Sequence, residues 1–91
     1  MFSIDKQPSE IALLLAQKVR VLRKDKRYSQ KELAERCGVL VDSIKCFEQS
    51  GQISLESLLK IAHLLGKLND FESILDPPEI SKDTLNKLFK S

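Results

Sequence analysis

The sequence holds 91 residues, 42% hydrophobic and 31% charged, with a formal net charge of +2. That is chain enough for one modest core, with the balance of a folded globular protein rather than a disordered one. No apolar run nears the roughly 20 residues of a membrane span, and Met1–Glu10 carries Asp5, Lys6 and Glu10 with no apolar stretch. Neither export nor a membrane partner is expected, and the expected compartment is the cytoplasm.

The first helix is predicted from about Ser9 to Asp25, after Pro8. Ile11, Leu15, Val19 and Leu22 form one stripe on a 3.6-residue repeat. The run Ile11–Ala16 is apolar nearly all round, which makes it a candidate intersubunit face. Ser29 with Glu32 three residues on is a capping box, in which each side chain satisfies an orphan backbone N–H. It opens a short helix, Gln30 to Arg36, with Leu33, Ala34 and Cys37 on one side. Gly38 makes the turn, since glycine reaches positive φ without steric cost.

A third helix is predicted from about Val41 to Gln49, burying Ile44 and Phe47. Ser54 caps a fourth, Leu55 to Leu65, with Leu58, Leu59, Ile61, Ala62 and Leu65 as its core face. Asn69–Leu75 adds a short fifth helix. Beyond Pro77-Pro78, Ser81–Lys90 is amphipathic, with Leu85, Leu88 and Phe89 on its apolar side. The expected fold class is all-α: a compact five-helix domain plus a short C-terminal helix. The expected divisions are a tail at 1–8, the domain at 9–76 and an extension at 77–91.

Charge is unevenly placed. From Lys18 to Arg36 there are eight basic residues against three acids, whereas from Cys37 onward there are six against eight. A positive block on a near-neutral chain attracts phosphate locally without making the whole molecule sticky, although a solvated helix face would read the same way. The second and third helices, joined at Gly38, meet the requirement for helix-turn-helix recognition: a short helix, rigidly held, entering a major groove about 12 Å wide. Periodicity alone would also allow an ordinary pair within a helical bundle.

The stretch Tyr28-Ser-Gln-Lys-Glu-Leu-Ala-Glu-Arg-Cys-Gly-Val39, followed by Ser43, Ile44, Phe47 and Glu48, resembles the phage-repressor (Cro/repressor-like, XRE) helix-turn-helix family. The segment Phe47 to Ala62 continues that family's third and fourth helices. The resemblance covers about Leu15 to Leu65. It implies a repressor-like DNA-binding domain acting on a double-stranded operator, as a homodimer. Gln30, with Lys31 beside it, would meet a phosphate at the second helix's N-terminus, where free N–H groups and the helix dipole favour an anion. Val41, Asp42, Ser43, Lys45 and Cys46 would occupy the base- and backbone-facing positions. Gln49, Ser50 and Gln52 would follow the phosphate backbone. Arg23 and Glu48 fall where the family places a buried structural ion pair.

The chain departs from that family at Leu40, where Ser or Thr often caps the third helix, and at Val41 and Cys46, where polar or basic residues are common. Asp42 can accept from cytosine N4 and Val41 can touch a thymine methyl, but neither matches Arg on guanine. Asp42 is also placed to replace the missing cap. Base reading is therefore expected to be weak, with phosphate contacts and two half-sites about 34 Å apart supplying the rest.

No enzyme is expected. His63 stands alone beside core positions, Cys37 and Cys46 without matching histidines make no zinc site, and no glycine-rich loop could hold a phosphate. The two cysteines read as reduced thiols rather than a disulfide. No cofactor, metal or small-molecule ligand is expected. The competing reading is an antitoxin that neutralises a partner toxin as well as binding operator DNA. Its support is the tail: Leu68–Leu75 with Ser81–Ser91 would serve as a docking or dimerising element, or else fold back onto the core.

Overall fold

The computed structural model describes residues 6–78, and all its regular structure is helical. The helices are α1 (Pro8–Asp25), α2 (Gln30–Cys37), α3 (Val41–Ser50), α4 (Leu55–Leu64) and α5 (Leu68–Glu72). Among the described residues five helices stand where the five of the domain were expected, with ends within a residue or so for the first four. The predicted helix at Ser81–Lys90 lies outside the described residues.

α1 begins one residue earlier than predicted because Pro8 occupies its first position, where the missing N–H would have had no intrahelical partner. Its other end uses a device hidden from sequence reading. Arg27 adopts φ 62°, so that its N–H reaches the Lys24 carbonyl at 2.9 Å and the Tyr28 N–H reaches the Arg23 carbonyl at 3.1 Å. This is the bonding pattern usually built on glycine; here an arginine carries it.

The core is Ala16, Val19, Leu33, Ala34, Ile44, Phe47, Ile61 and Leu65. α3 packs on both α1 and α2, α2 also meets α4, and α5 lies on α4. The buried line of α1 differs from the predicted stripe. It runs through Ala16, Val19 and Arg23, while Leu15 and Leu22 are half-buried beside it and Ile11 is 41% exposed. The cause is the approach of Gly51, at φ 80°: a Cβ there would lie 2.9 Å from the Ala12 carbonyl carbon. Contact with α1 therefore passes through small Ala12 and Ala16, and large side chains on the predicted stripe stand to one side. Val19 belongs to both lines, and Leu15 and Leu22 still pack against the core, so of the predicted stripe only Ile11 is left exposed.

Candidate nucleic-acid interface

The second helix is held at both ends. Ser29 Oγ accepts from the Glu32 N–H at 3.0 Å, and Glu32 Oε1 accepts from the Ser29 N–H at 3.1 Å. At the far end Gly38 sits at φ 75°, and the Val39 N–H returns to the Ala34 carbonyl at 3.1 Å. Leu33 and Ala34 are buried, which fixes the helix's rotation. Gln30 and Lys31 are thereby left at the first two positions, where backbone N–H groups have no intrahelical acceptor and the positive end of the dipole lies.

A charged network ties this helix to α1 and α3. Arg23 Nε donates to Glu48 Oε2 at 2.8 Å, and Arg23 Nη2 donates to Glu48 Oε1 at 3.0 Å. Arg23 Nη1 donates to the Tyr28 carbonyl at 2.8 Å, and Gln30 Nε2 donates to Glu48 Oε1 at 3.1 Å. The Arg23 and Glu48 side chains are 9% and 5% exposed. Two charges taken out of water are tolerable only when paired and fully hydrogen-bonded, and the fork geometry of arginine achieves that. Among the described residues no buried side-chain N or O lacks a partner. The network orients Gln30 through one amide hydrogen and leaves its second able to reach a phosphate oxygen. Nearby, Arg36 stacks over the Tyr28 ring with its Cζ 4.7 Å from the centroid, which braces the loop carrying that carbonyl.

These residues border a concavity of about 660 Å³ lined by Arg20, Arg23, Ser29, Gln30, Lys45, Glu48 and Gln49. Its one acid, Glu48, is already committed to Arg23 and Gln30. The remaining surface is cationic and amide-rich, with Arg20 and Lys45 exposed on either side. Such a hollow suits a phosphate group. Arg20 was not among the residues the motif pointed to, yet it lies within the basic block and three positions before Arg23, on the same side of α1.

α3 presents Asp42, Lys45, Cys46 and Gln49 to solvent, a single stripe at i, i+3, i+4 and i+7. The other expected positions on this helix are less open. Val41 is half-buried against the core, and Ser43 is half-buried. Ser50 Oγ donates to the Cys46 carbonyl at 2.7 Å and accepts from the Gln52 N–H at 3.2 Å, so its hydroxyl shapes the end of the helix. Lys31 and Gln52 are exposed, and neither lines the concavity. The expectation that Asp42 replaces the cap at Leu40 is corrected: α3 has no side-chain cap. Asp42 lies inside the helix at its second position, so it carries one of the amides that needs an acceptor, and its side chain lies exposed. Its charge still faces the positive end of the helix dipole.

Both cysteines are free, Cys37 half-buried and Cys46 exposed. Burial pushes the Cys37 thiol above its ordinary pKa, which favours the protonated form. His63 is exposed on α4. Among the described residues no group of three or more His, Cys, Asp or Glu could hold a metal ion, and no helix is long and apolar enough to cross a membrane.

Comparison with known proteins matches the chain to a family model. The helix-turn-helix family HTH_3 covers residues 19–70, more than half the chain. That span takes in α2, α3 and α4 whole, with the part of α1 that carries Arg20 and Arg23. No curated protein and no solved structure matches the sequence. The family is one of DNA-binding regulators rather than enzymes. With the motif's geometry and the family match in agreement, this chain belongs to the helix-turn-helix family of Cro/repressor-like type and is a DNA-binding transcription regulator.

Proposed function

We propose that the protein is a transcriptional repressor, regulating its own operon, that binds operator DNA in the cytoplasm as a homodimer. Residues 9–76 form the DNA-binding domain, and α3 lies in the major groove. The observation that carries this reading is the hollow between α1, α2 and α3, where Arg20 and Lys45 flank Gln30 and the only acid is neutralised by Arg23. A backbone phosphate seated there would set the register of α3. Asp42, Lys45, Cys46 and Gln49 would then face the base edges, with Lys31, Ser50 and Gln52 along the flanking backbone and Val41 and Ser43 at the helix's entry. One acid, one amide and a thiol make modest readers, so phosphate contacts dominate affinity and the second half-site supplies much of the discrimination.

A salt titration tests this directly. The logarithm of the association constant for duplex DNA should fall steeply and linearly with the logarithm of salt concentration. Arg20→Ala and Lys45→Ala should each reduce the slope by about one. A shallow slope in the unaltered protein would contradict the proposal. The toxin-neutralising alternative draws on Leu68–Leu75 together with Ser81–Ser91, the latter outside the described residues, and the repressor reading does not depend on it.

A further inference from the structure

The back of α1 carries an apolar ridge. The buried line of the helix runs through Ala16, Val19 and Arg23, and away from it Ile11, Leu14, Lys18 and Val21 follow one another at intervals of three and four. That spacing is the seam of a helix that packs lengthwise on another. Ile11 is 41% and Val21 66% exposed, and Leu14 is half-buried. Beside the ridge runs a groove between α1 and the α4–α5 side, made of two adjoining hollows of about 460 and 410 Å³ that share Lys18, Leu22 and Lys67. Leu15, Leu22 and Phe71 in its walls are half-buried, and Ile74 is exposed.

We infer, resting on the homodimer proposed above, that this groove is filled by the same ridge of a second copy, the two α1 helices packing antiparallel across a two-fold axis. Shape is the first reason. A two-fold interface must be complementary to itself. A ridge and a groove side by side on one face meet that condition, because each copy's ridge enters the other's groove. An axis midway between Leu14 and Lys18 sets Ile11 of one copy against Val21 of the other and overlaps the helices along their full length.

Charge is the second reason. Lys18 interrupts an otherwise apolar ridge, and Asp70 is the one acid among the residues lining the groove. Both are exposed, and neither joins an ion pair among the described residues. Antiparallel docking brings each Lys18 to the groove wall that holds the other copy's Asp70. A single lysine in such a seam fixes register at some cost in stability. The contact is small: α1 has 18 residues and is about 27 Å long. An interface of that size falls at the low end, below about 1,200 Å² in total, and suits a micromolar dimer. Arg20, in the cationic hollow, lies two positions from Lys18 and about 200° round the helix from it. The second copy therefore leaves that hollow open.

Sedimentation equilibrium of the full-length protein across the micromolar range, without DNA, tests this. Val21→Asn puts two uncharged polar groups into the seam of each dimer and should raise the dissociation constant at least about thirtyfold. Leu55→Asn, at a residue equally exposed at 66% but on α4, should leave it unchanged. Circular dichroism should show both variants folded, and Val21→Asn should keep the parent's affinity for a duplex one helical turn long, which holds a single copy. Lys18→Glu and Asp70→Lys, each repeated twice in a dimer, should each weaken association about tenfold. Mixing these two single variants should restore near-parental affinity, because only the mixed pair has opposite charges at both contacts; a contact within one chain gains nothing from mixing. A dimer indifferent to Val21→Asn, or no recovery on mixing, would overturn this interface and leave the homodimer standing. A parent protein that stays monomeric with and without DNA would overturn both.

Discussion

The two helices of the motif are built to different standards. α2 is capped by a reciprocal pair at its start and by a left-handed glycine at its end, and its buried residues fix it against α3 and α4. α3 starts at an exposed leucine with no side-chain cap. It is held instead by Ile44 and Phe47 in the core and by Glu48 in the charged network. The contrast fits the two tasks proposed for them. As the positioning helix, α2 has a stability that is local and written in its own residues; as the proposed reading helix, α3 keeps an exposed outer face and takes its anchoring from elsewhere in the chain.

The largest effects should come from cutting that anchoring. Glu48→Ala leaves Arg23 buried and unpaired and should cost about 3–5 kcal/mol. Arg23→Ala should cost a similar amount, and each would appear as a large fall in Tm. Phe47→Ala belongs in the same range, about 3–5 kcal/mol, because the ring is 1% exposed and its removal leaves a cavity. If either charged variant proved as stable as the parent, α3 would not depend on the network.

Next come the two glycines that end the helices. Both adopt positive φ, but a Cβ on Gly38 meets nothing within 4 Å, whereas one on Gly51 meets the backbone of Ala12 and Leu13 at about 3 Å. Gly38→Ala should cost about 1 kcal/mol from backbone strain alone. Gly51→Ala should cost distinctly more, since α1 must also shift. Equal losses in chemical denaturation would remove this difference between the two helix ends.

Smaller effects should appear at the helix starts, with opposite signs. Ser29→Ala removes a working cap and should destabilise by about 1 kcal/mol. Leu40→Ser supplies a missing one at a position 76% exposed, and should stabilise by about 0.5–1 kcal/mol. A destabilised Leu40→Ser variant would show that the leucine packs in a way its exposure denies. Smallest of all is a thiol difference measurable without mutation. Cys46 should react with a thiol reagent well before Cys37, whose burial raises its pKa, and raising the pH should narrow the gap. Duplex DNA should slow the reaction of Cys46 and leave that of Cys37 unchanged.

The same contrast explains what could be read from the sequence. Features that rest on a few adjacent residues were legible: the Ser29–Glu32 box, the Gly38 turn, the Ser54 cap and the helical periods around them. The Arg23–Glu48 pairing, bridging 25 positions, followed only from resemblance to a family, because nothing local in either segment demands the other. Features set by packing between distant segments were missed. Gly51 steers the contact line of α1 toward Ala12 and Ala16, and no periodicity count over α1 alone contains that information. Arg20 was overlooked because its role depends on where Lys45 and Gln30 stand, not on its neighbours in the chain. Arg27 ends α1 in a conformation that only the completed bond pattern requires.

The proposed reading of bases by α3 is the central claim, and one selection experiment addresses it most directly. The full-length protein and its Asp42→Asn variant would each be used to enrich bound duplexes from a random pool at fixed salt. A carboxylate accepts from cytosine, whereas an asparagine amide prefers the paired donor and acceptor of adenine. The account predicts two enriched sequences that differ at one base pair within each recognised site, with flanking positions unchanged. Identical enriched sequences, or no enrichment with either protein, would contradict the assignment of the exposed face of α3 to the bases.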